Sequence, residues 1–452
     1  MTGWASRAAS CIAAVTLATL PQCAAPLAHA VTPPPIDHAR LPEPSPPAPS
    51  APTVQREVCA VPSRTTHDGK STQLSGVDLQ RVWRLSRGSG QRVAVIDTGV
   101  APHPRLPDTL AGGDYVFTGD GLQDCDGHGT AVAGIIAAAP DPEHDDFSGV
   151  APDVTLISIR QSSTKFGASA DASTTGFGDV DTLAKAVRTA ADLGASVINI
   201  SSVACVPVDS RLDDRALGAA LAYAVDTKNA VVVAAAGNTG GPAQCPAQQP
   251  ETTWDTATVA VSPAWYDDYV LTVGSVNARG EPSPFTLAGP WVDVAAPGET
   301  VMSLSLTGDG TVNSLGAPPH SVPLSGTSYA APVVSGLAAL IRCRFPTLTA
   351  RQVMQRIEAT AHHPPRGRDP LVGNGVVDVL AAVSSGTPAD PPPRPRDRPP
   401  PVAPPTPPAA TDRSPRHTAF TGAAICLTVL ATALIAGAVT ARLRRTEAVP
   451  DD

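Results

Sequence analysis

Proline is concentrated in two segments of this chain, and this uneven distribution is what most constrains its fold. Residues 31–54 contain 9 of the 49 prolines and residues 388–415 contain 13, in a chain of 452 residues. Proline has no backbone N–H and a fixed φ, so neither segment is expected to pack a core. The chain is therefore predicted to hold one globular body between two tails, which excludes a uniformly disordered or fibrous protein.

The first 30 residues have the pattern of a secretory signal peptide. Arg7 is followed by an apolar run over 8–20, and Ala28-His29-Ala30 offers a small-residue cleavage site. We predict cleavage after Ala30, which leaves 31–56 as a proline-rich N-terminal extension. The composition of this extension is compatible both with a free tail and with a segment that wraps the body.

An apolar segment near the other end is predicted to anchor the protein in the cell membrane. Residues 418–441 are 24 residues without a charge. As a helix they would extend about 36 Å, enough to cross a hydrocarbon core of about 30 Å. Arginines 442, 444 and 445 follow and favour a cytoplasmic tail over 442–452. The predicted topology is a single membrane pass with the body outside the cytoplasm.

The segment 387–417 separates the body from this anchor. Its proline runs favour an extended, polyproline-like conformation. We therefore interpret it as a spacer that holds the body away from the membrane surface. The folded domain is then predicted to occupy residues 57–386.

The chain has eight cysteines, and five of them lie in the predicted body. Export of the body would allow disulfides, and an odd number leaves at least one thiol unpaired or paired between chains. Cys343, in a helix predicted over 328–344, is the best candidate for a buried free cysteine. The other four allow three pairings; they are Cys59, Cys125, Cys205 and Cys245.

Short runs rich in valine and isoleucine alternate with helical patterns along the body. The runs cover 91–96, 154–159, 197–200, 231–236 and 270–273. Runs of this length bounded by Gly, Asp or Asn are typical of buried parallel strands. Helices are predicted over 181–193, over 213–224, and from a capping box at Thr349 to about residue 361. The alternation predicts an α/β fold whose ligand sites lie beyond the carboxyl ends of the strands.

Charge and composition exclude several classes of function. The net charge is −9 and the body has no block of basic residues, which argues against a nucleic-acid partner. No Cys/His spacing resembles a zinc site, and we predict neither a metal ion nor a cofactor. Asp124 and Asp126 could bind a cation, but we interpret them as solvated loop carboxylates. We interpret three histidines as structural or surface residues, namely His103, His362 and His363.

Four short motifs occur in order along the body. Asp97 follows a buried apolar run and precedes Thr-Gly, and His128 stands in Asp-Gly-His-Gly-Thr before an Ala/Val/Ile-rich helix. Asn238 ends Ala-Ala-Gly-Asn, and Ser328 lies in Ser-Gly-Thr-Ser-Tyr-Ala-Ala-Pro. Taken singly, such an Asp can be a turn residue, Gly-His-Gly a loop, and the serine a helix N-cap. The ordered set instead favours a catalytic site.

The four residues have complementary chemical roles. A serine hydroxyl needs a base to become a nucleophile, and imidazole suits that task near neutral pH. A carboxylate fixes the tautomer of the imidazole and stabilises its cation. A backbone N–H at Ser328 and the side-chain amide of Asn238 could stabilise a developing oxyanion, and one such donor contributes about 3–4 kcal/mol in comparable sites.

With these flanking residues, the motifs resemble those of the subtilisin family of serine proteases over about residues 57–386. The resemblance is closer to the mycosins, membrane-anchored subtilases of type VII secretion systems. It rests on Asp124-Cys-Asp-Gly-His-Gly-Thr130, on Asn199-Ile-Ser-Ser-Val-Ala-Cys205, on Arg344-Phe-Pro-Thr-Leu-Thr-Ala-Arg-Gln-Val-Met354, and on the layout of signal, body, spacer, anchor and basic tail. It implies a three-layer α/β fold with a seven-stranded, mostly parallel sheet. It also implies peptide hydrolysis through an acyl-enzyme, with Asp97, His128 and Ser328 as the triad and Asn238 as the oxyanion donor.

The resemblance further implies the disulfides Cys59–Cys125 and Cys205–Cys245. It implies that residues 31–90 wrap the body and are not an inhibitory prodomain. The chain also departs from ordinary subtilases. Ala131 replaces a usual second histidine, and Ser-Ser-Val-Ala over 201–204 replaces a Ser-Leu-Gly-Gly-like strand of the cleft. Subtilisin-like substrate preferences are therefore not expected, and the predicted loops 161–180 and 241–254 could restrict access to a few substrates.

These features give three hypotheses for function. The first is a protease that processes exported proteins or peptides at the outer face of the membrane, within a type VII secretion membrane complex. The second is a structural component of that complex in which proteolysis is dispensable. The third is a general degradative protease at the cell surface.

Overall fold

The structure is a computed structural model that describes the body and a short part of the C-terminal segment. The described residues are 31–63, 73–171, 176–210, 212–241, 244–308, 310–316, 321–365, 367–384, 427 and 430–439. The chain divides into two compact units, residues 1–389 and 390–452. The predicted signal peptide, the whole of the spacer 387–417 and the tail 442–452 lie outside the described residues.

The described residues of the second unit, 427 and 430–439, are helical. They are all that is described of the predicted anchor 418–441. Across the described part of the chain, no helix combines the length and the apolar character needed to cross a membrane.

The first unit is built from β-strands and α-helices. The strands in chain order are β1 Thr53–Gln55, β2 Pro62–Ser63, β3 Arg92–Asp97, β4 Thr109–Asp114, β5 Thr155–Arg160, β6 Phe166–Ala168, β7 Val197–Ile200, β8 Ala204–Pro207, β9 Val231–Ala235, β10 Val259–Ser262, β11 Val270–Val276, β12 Val292–Pro297, β13 Ser303–Leu304, β14 Thr311–Val312, β15 Ser314–Leu315 and β16 Val322–Pro323. The α-helices are α1 Leu79–Trp83, α2 His128–Ala137, α3 Val180–Asp192, α4 Arg215–Ala222, α5 Thr327–Arg344, α6 Ala350–Thr360 and α7 Val379–Ser384. A 3₁₀ turn covers His38–Arg40, and a π-helical turn, Tyr223–Thr227, extends α4.

The main sheet has seven strands in the order β12-β11-β9-β7-β3-β5-β4. All six pairings between neighbouring strands are parallel. Helix α5 packs with α2 and crosses β7, β9, β11 and β12, while α3 packs with α4 and contacts β3, β5 and β7. The predicted α/β fold and the predicted seven-stranded sheet are both confirmed. Because parallel strands end at the same edge, the residues that follow β3, β7 and β9 lie near one another.

The N-terminal segment 31–63, which we call the strap, runs over the surface of the body. The Val31 N–H donates to the Trp254 carbonyl at 2.8 Å, and the Val31 side chain is buried. Pro47 lies directly over Gly113, where a Cβ would come within 2.2 Å of the proline ring. Strand β1 pairs antiparallel with β6, and β2 pairs antiparallel with β15. The described part of the segment 31–90 therefore wraps the body, as the resemblance implied.

Candidate active site

Asp97 and His128 come together at the carboxyl edge of the sheet. Asp97 is the last residue of β3, and His128 is the first residue of α2. The imidazole Nδ1 lies 2.7 Å from Asp97 Oδ1, and the Thr98 N–H donates to the same oxygen at 2.7 Å. The Asp97 side chain is 2% exposed and that of His128 is 27% exposed. The pair therefore has a buried carboxylate and an imidazole that solvent or a substrate can reach.

The pKa of His128 is raised above its usual value of 6.5. Burial alone would lower this pKa, because it disfavours the imidazolium. The charge of Asp97 and its hydrogen bond outweigh burial, with smaller contributions from the charges of Asp124 and Asp126. The carboxylates around the imidazole therefore stabilise the cation that forms when His128 accepts a proton.

Asp124 connects the end of β3 to the start of α2. Its Oδ1 accepts from the Thr98 hydroxyl at 2.9 Å and from two N–H groups of the loop before His128, at residues 126 and 127. Its Oδ2 accepts from the N–H and hydroxyl of Thr130, at 2.9 and 2.7 Å. The Thr98 hydroxyl in turn accepts from the Gly129 N–H at 2.9 Å. One carboxylate thus fixes the residues on both sides of the Asp97–His128 pair.

Asp126 is buried in the same loop and anchors the loop that follows β5. Its Oδ1 accepts from the N–H of Thr164 at 2.7 Å, and its Oδ2 accepts from the hydroxyl of Ser163 at 2.5 Å. The interpretation of Asp124 and Asp126 as solvated carboxylates is therefore wrong. Both are buried because hydroxyl and backbone donors surround them, which compensates for the water that they lose. Among the described residues, no cluster of His, Cys, Asp or Glu could hold a metal ion.

Asn238 lies beside the start of α5, next to Ser328. Its Oδ1 accepts from the N–H and the hydroxyl of Thr327, at 2.9 and 3.0 Å. These two bonds fix the orientation of the amide, so its NH₂ group points away from Thr327. Thr327, which donates to the amide oxygen of Asn238, is not one of the site residues predicted from the sequence, although it directly precedes Ser328.

Gly326 leaves open the space between Asn238 and Ser328. A Cβ on this residue would lie 3.1 Å from Asn238 Nδ2 and 3.4 Å from Ser328 Oγ. The φ of Gly326 is +154°, which L side chains rarely adopt. Only glycine combines this backbone with an empty space between the amide donor and the hydroxyl.

Ser328 is the second residue of α5 and is half-buried. The ring centroid of the next residue, Tyr329, lies 5.1 Å from the ring centroid of His128. The start of α5 therefore lies against the imidazole. The structure brings all four predicted site residues to one edge of the sheet. Together they provide a hydroxyl, an imidazole, a buried carboxylate and an oriented amide donor. Such a set can carry out nucleophilic acyl transfer.

The predicted disulfides are both present, as Cys59–Cys125 and Cys205–Cys245. Cys343 is free, as predicted, but it is half-buried where we expected a buried thiol. It is the second-last residue of α5, at a helix end where the side chain is only partly covered. Of the three other histidines, His103 is buried and structural, and the pair at 362 and 363 is exposed.

The model of the subtilase family matches residues 88–378, which include all four motifs and more than half of the chain. The chain belongs to the subtilase family. Its domain and its relatives belong to a class of serine endopeptidases, and this subtilase is therefore a serine endopeptidase. Mycosin-4 of Mycobacterium tuberculosis is 68% identical over 443 residues, which cover 94% of this chain and 95% of that protein. At this identity the subtilase is a member of the mycosin group.

Solved structures agree with this assignment. The subtilase superposes on the MycP3 protease from the type VII (ESX-3) secretion system with a TM-score of 0.73 and 48% identity, covering 78% of this chain and all of that one. It also matches a chain in the intact ESX-5 inner membrane complex with a TM-score of 0.75 and 40% identity, covering 91% of this chain and all of that one.

Proposed function

We propose that this mycosin cleaves peptide bonds with Ser328 as nucleophile, His128 as general base, Asp97 as the orienting carboxylate and Asn238 as oxyanion donor. The observation that carries the proposal is the 2.7 Å contact between His128 Nδ1 and Asp97 Oδ1. This contact leaves Nε2 as the ring nitrogen available to a serine hydroxyl. Asn238, whose amide is oriented by Thr327, lies near the same face of Gly326 as that hydroxyl, since a Cβ on Gly326 would contact both.

In this mechanism the Ser328 oxygen attacks the carbonyl carbon of the scissile bond while His128 takes the hydroxyl proton. The Ser328 N–H and the Asn238 amide donate to the oxygen that becomes negative. His128 then gives its proton to the leaving amine, and the C–N bond breaks to leave an acyl-enzyme. Water, activated by the same imidazole, hydrolyses the ester and restores the hydroxyl.

We further propose that the protease acts on exported substrates of a type VII secretion system, from an anchored position at the outer face of the membrane. Three observations support this. Relatives of high identity are mycosins, and similar chains come from ESX-3 and ESX-5 systems. The sequence has a signal-like start and the uncharged stretch 418–441 followed by arginines. The two disulfides fit an oxidising compartment.

A Ser328→Ala substitution tests the proposal directly. We expect the exported substrates to accumulate in unprocessed form, because the residual acyl transfer of a subtilase without its serine is lower by several orders of magnitude. The measurement compares the masses of proteins secreted by wild-type cells and by cells with Ser328→Ala. Continued processing at the wild-type level would refute Ser328 as the nucleophile.

A structural role in the secretion complex is a second candidate. It is favoured by the similarity to a chain that is part of the intact ESX-5 inner membrane complex. Under this role, secretion continues with Ser328→Ala and stops when the whole chain is deleted. If both strains secrete as wild type does, the structural role is wrong; if both stop, secretion depends on proteolysis.

A further inference from the structure

The helix that carries Ser328 contains a proline at the position where it affects the Ser328 carbonyl. Within an α-helix, the carbonyl of residue i accepts from the N–H of residue i+4. For Ser328 that residue is Pro332, which lies inside α5. Proline has no N–H, and its ring crowds the carbonyl four residues earlier. The Ser328 carbonyl therefore lacks the α-helical donor that residue 332 would supply.

Ser201 supplies the missing donor. Its hydroxyl donates to the Ser328 carbonyl at 2.8 Å. Ser201 directly follows β7 at the carboxyl edge of the sheet and is 6% exposed. A side chain from the sheet thus replaces, for this one carbonyl, the backbone bond that Pro332 removes.

Asn199 fixes the direction of the Ser201 hydroxyl. The Asn199 amide donates from Nδ2 to the Ser201 oxygen at 2.9 Å, and its Oδ1 accepts from the Ser335 hydroxyl at 2.8 Å. The Ser201 oxygen accepts a hydrogen bond from the Asn199 amide. The single hydrogen of its hydroxyl is therefore available to donate to the Ser328 carbonyl. Asn199 and Ser335 are fully buried. The hydrogen bonds that connect Ser335, Asn199 and Ser201 therefore pair their polar side-chain atoms away from water.

Ser335 lies two turns after Ser328 on the same helix. The end of β7 therefore holds α5 at two points, at the carbonyl of Ser328 and at the hydroxyl of Ser335. We infer that Ser201 is a positioning residue, which sets the backbone of Ser328 through its carbonyl and so aims both the nucleophilic oxygen and the oxyanion-binding N–H. The inference rests on the proposed role of Ser328 as the nucleophile.

The test measures reaction of the full-length protein with a fluorophosphonate probe, which needs no knowledge of the natural substrate. In this reaction the Ser328 oxygen bonds to phosphorus, fluoride leaves, and His128 takes the hydroxyl proton. Saturation kinetics separate the probe affinity KI from the rate constant kinact. We expect Ser201→Ala to lower kinact roughly five- to tenfold, the equivalent of one net hydrogen bond, with KI unchanged.

Ser86→Ala is the matched control. The Ser86 hydroxyl also donates to a carbonyl of α5, that of Leu340, at 2.8 Å, and Ser86 is also 6% exposed. Its loss removes the same type of bond from the same helix at the opposite end. We expect Ser86→Ala to lower the thermal midpoint about as much as Ser201→Ala while leaving kinact as in wild type.

Pro332→Ala provides a rescue, because it adds the N–H that the Ser328 carbonyl lacks. We expect the double variant Ser201→Ala/Pro332→Ala to recover most of the lost kinact. A wild-type kinact in Ser201→Ala, an equal loss in Ser86→Ala, or no recovery in the double variant would each overturn the inference. Labelling of Ser328→Ala at the wild-type rate would instead refute the proposed function itself.

Discussion

Asp124 shows how much the setting of a single carboxylate depends on residues far away in the sequence. It stands in a loop of Asp, Cys and Gly, a composition typical of exposed turns. In the structure it is buried, because the hydroxyl of Thr98, 26 residues earlier, and the hydroxyl of Thr130 close around it. Burial raises the pKa of Asp124 to about 6, against the effect of its hydrogen-bond donors.

The first prediction concerns the charge of Asp124. Asp124→Asn removes a negative charge that raises the pKa of His128. His128 must be neutral to act as a base, so the reaction rate rises as the pH increases through its pKa. We therefore expect the acid limb of the pH–rate profile to move to lower pH in Asp124→Asn. The amide also mispairs with the donors around it, which should cost about 1–3 kcal/mol of stability.

The pH dependence of fluorophosphonate labelling measures the first effect, and urea unfolding measures the second. Asp120→Asn is the control, because Asp120 is exposed in the same loop and its side chain accepts from the Leu122 N–H, at the surface. An acid limb at the same pH in Asp124→Asn and wild type would contradict the prediction.

At the scale of elements, five of the seven strands of the main sheet could be predicted from the sequence. Strands buried on both faces are apolar runs rich in valine, isoleucine and leucine, and such runs occur within β3, β5, β7, β9 and β11. The edge strand β4 reads Thr-Leu-Ala-Gly-Gly-Asp with Leu110 exposed, so its pattern is not that of a buried strand. In β12 the buried Asp293, which accepts from the Thr272 N–H, interrupts the apolar run.

The catalytic site also has features that the sequence shows and features that it does not. Each of the four motifs lies within a few consecutive residues, so it can be recognised from the sequence alone. The hydrogen bond from Thr98 to Asp124 joins residues 26 positions apart, and the one from Ser201 to Ser328 joins residues 127 positions apart. Only the folded chain brings these residues together. A signal for the second contact was nevertheless present, since Pro332 stands four residues after Ser328.

The second prediction compares the two disulfides. They close loops of 66 and 40 residues, for which chain entropy gives nearly the same stabilisation, about 4 kcal/mol each. We expect urea unfolding to show similar losses for Cys59→Ser/Cys125→Ser and for Cys205→Ser/Cys245→Ser. Amide hydrogen exchange should distinguish them. Only the first pair ties the strap to the body, so only its loss should speed exchange in β1 and β6. Equal exchange in both variants would contradict this.

At the scale of the whole molecule, the strap lies on the body without bonding to the catalytic residues. Among the described residues, no hydrogen bond joins residues 31–63 to Asp97, His128, Asn238 or Ser328. The strap instead contacts Trp254, Gly113 and β6, which lie in different parts of the body. From these contacts we expect the strap to contribute to stability.

The third prediction follows from this arrangement. A protein that lacks residues 31–56 but keeps Cys59 should fold and should react with a fluorophosphonate at the wild-type kinact. It should lose roughly 3–5 kcal/mol of stability, from the burial of Val31 and from the main-chain hydrogen bonds of β1. Urea unfolding and labelling kinetics measure the two quantities. A severalfold higher kinact after the deletion would mean that the strap inhibits the enzyme.

The contacts of the strap along its length also have a kinetic consequence. Each attached point holds the neighbouring points close to their own binding surfaces, which gives them a high effective local concentration. If Pro47 leaves Gly113, the pairing of β1 with β6 and the disulfide at Cys59 keep the proline ring close to its binding position. The strap detaches only when several of these contacts are broken at the same time. A series of individually weak contacts can in this way give the segment a long lifetime on the surface of the enzyme.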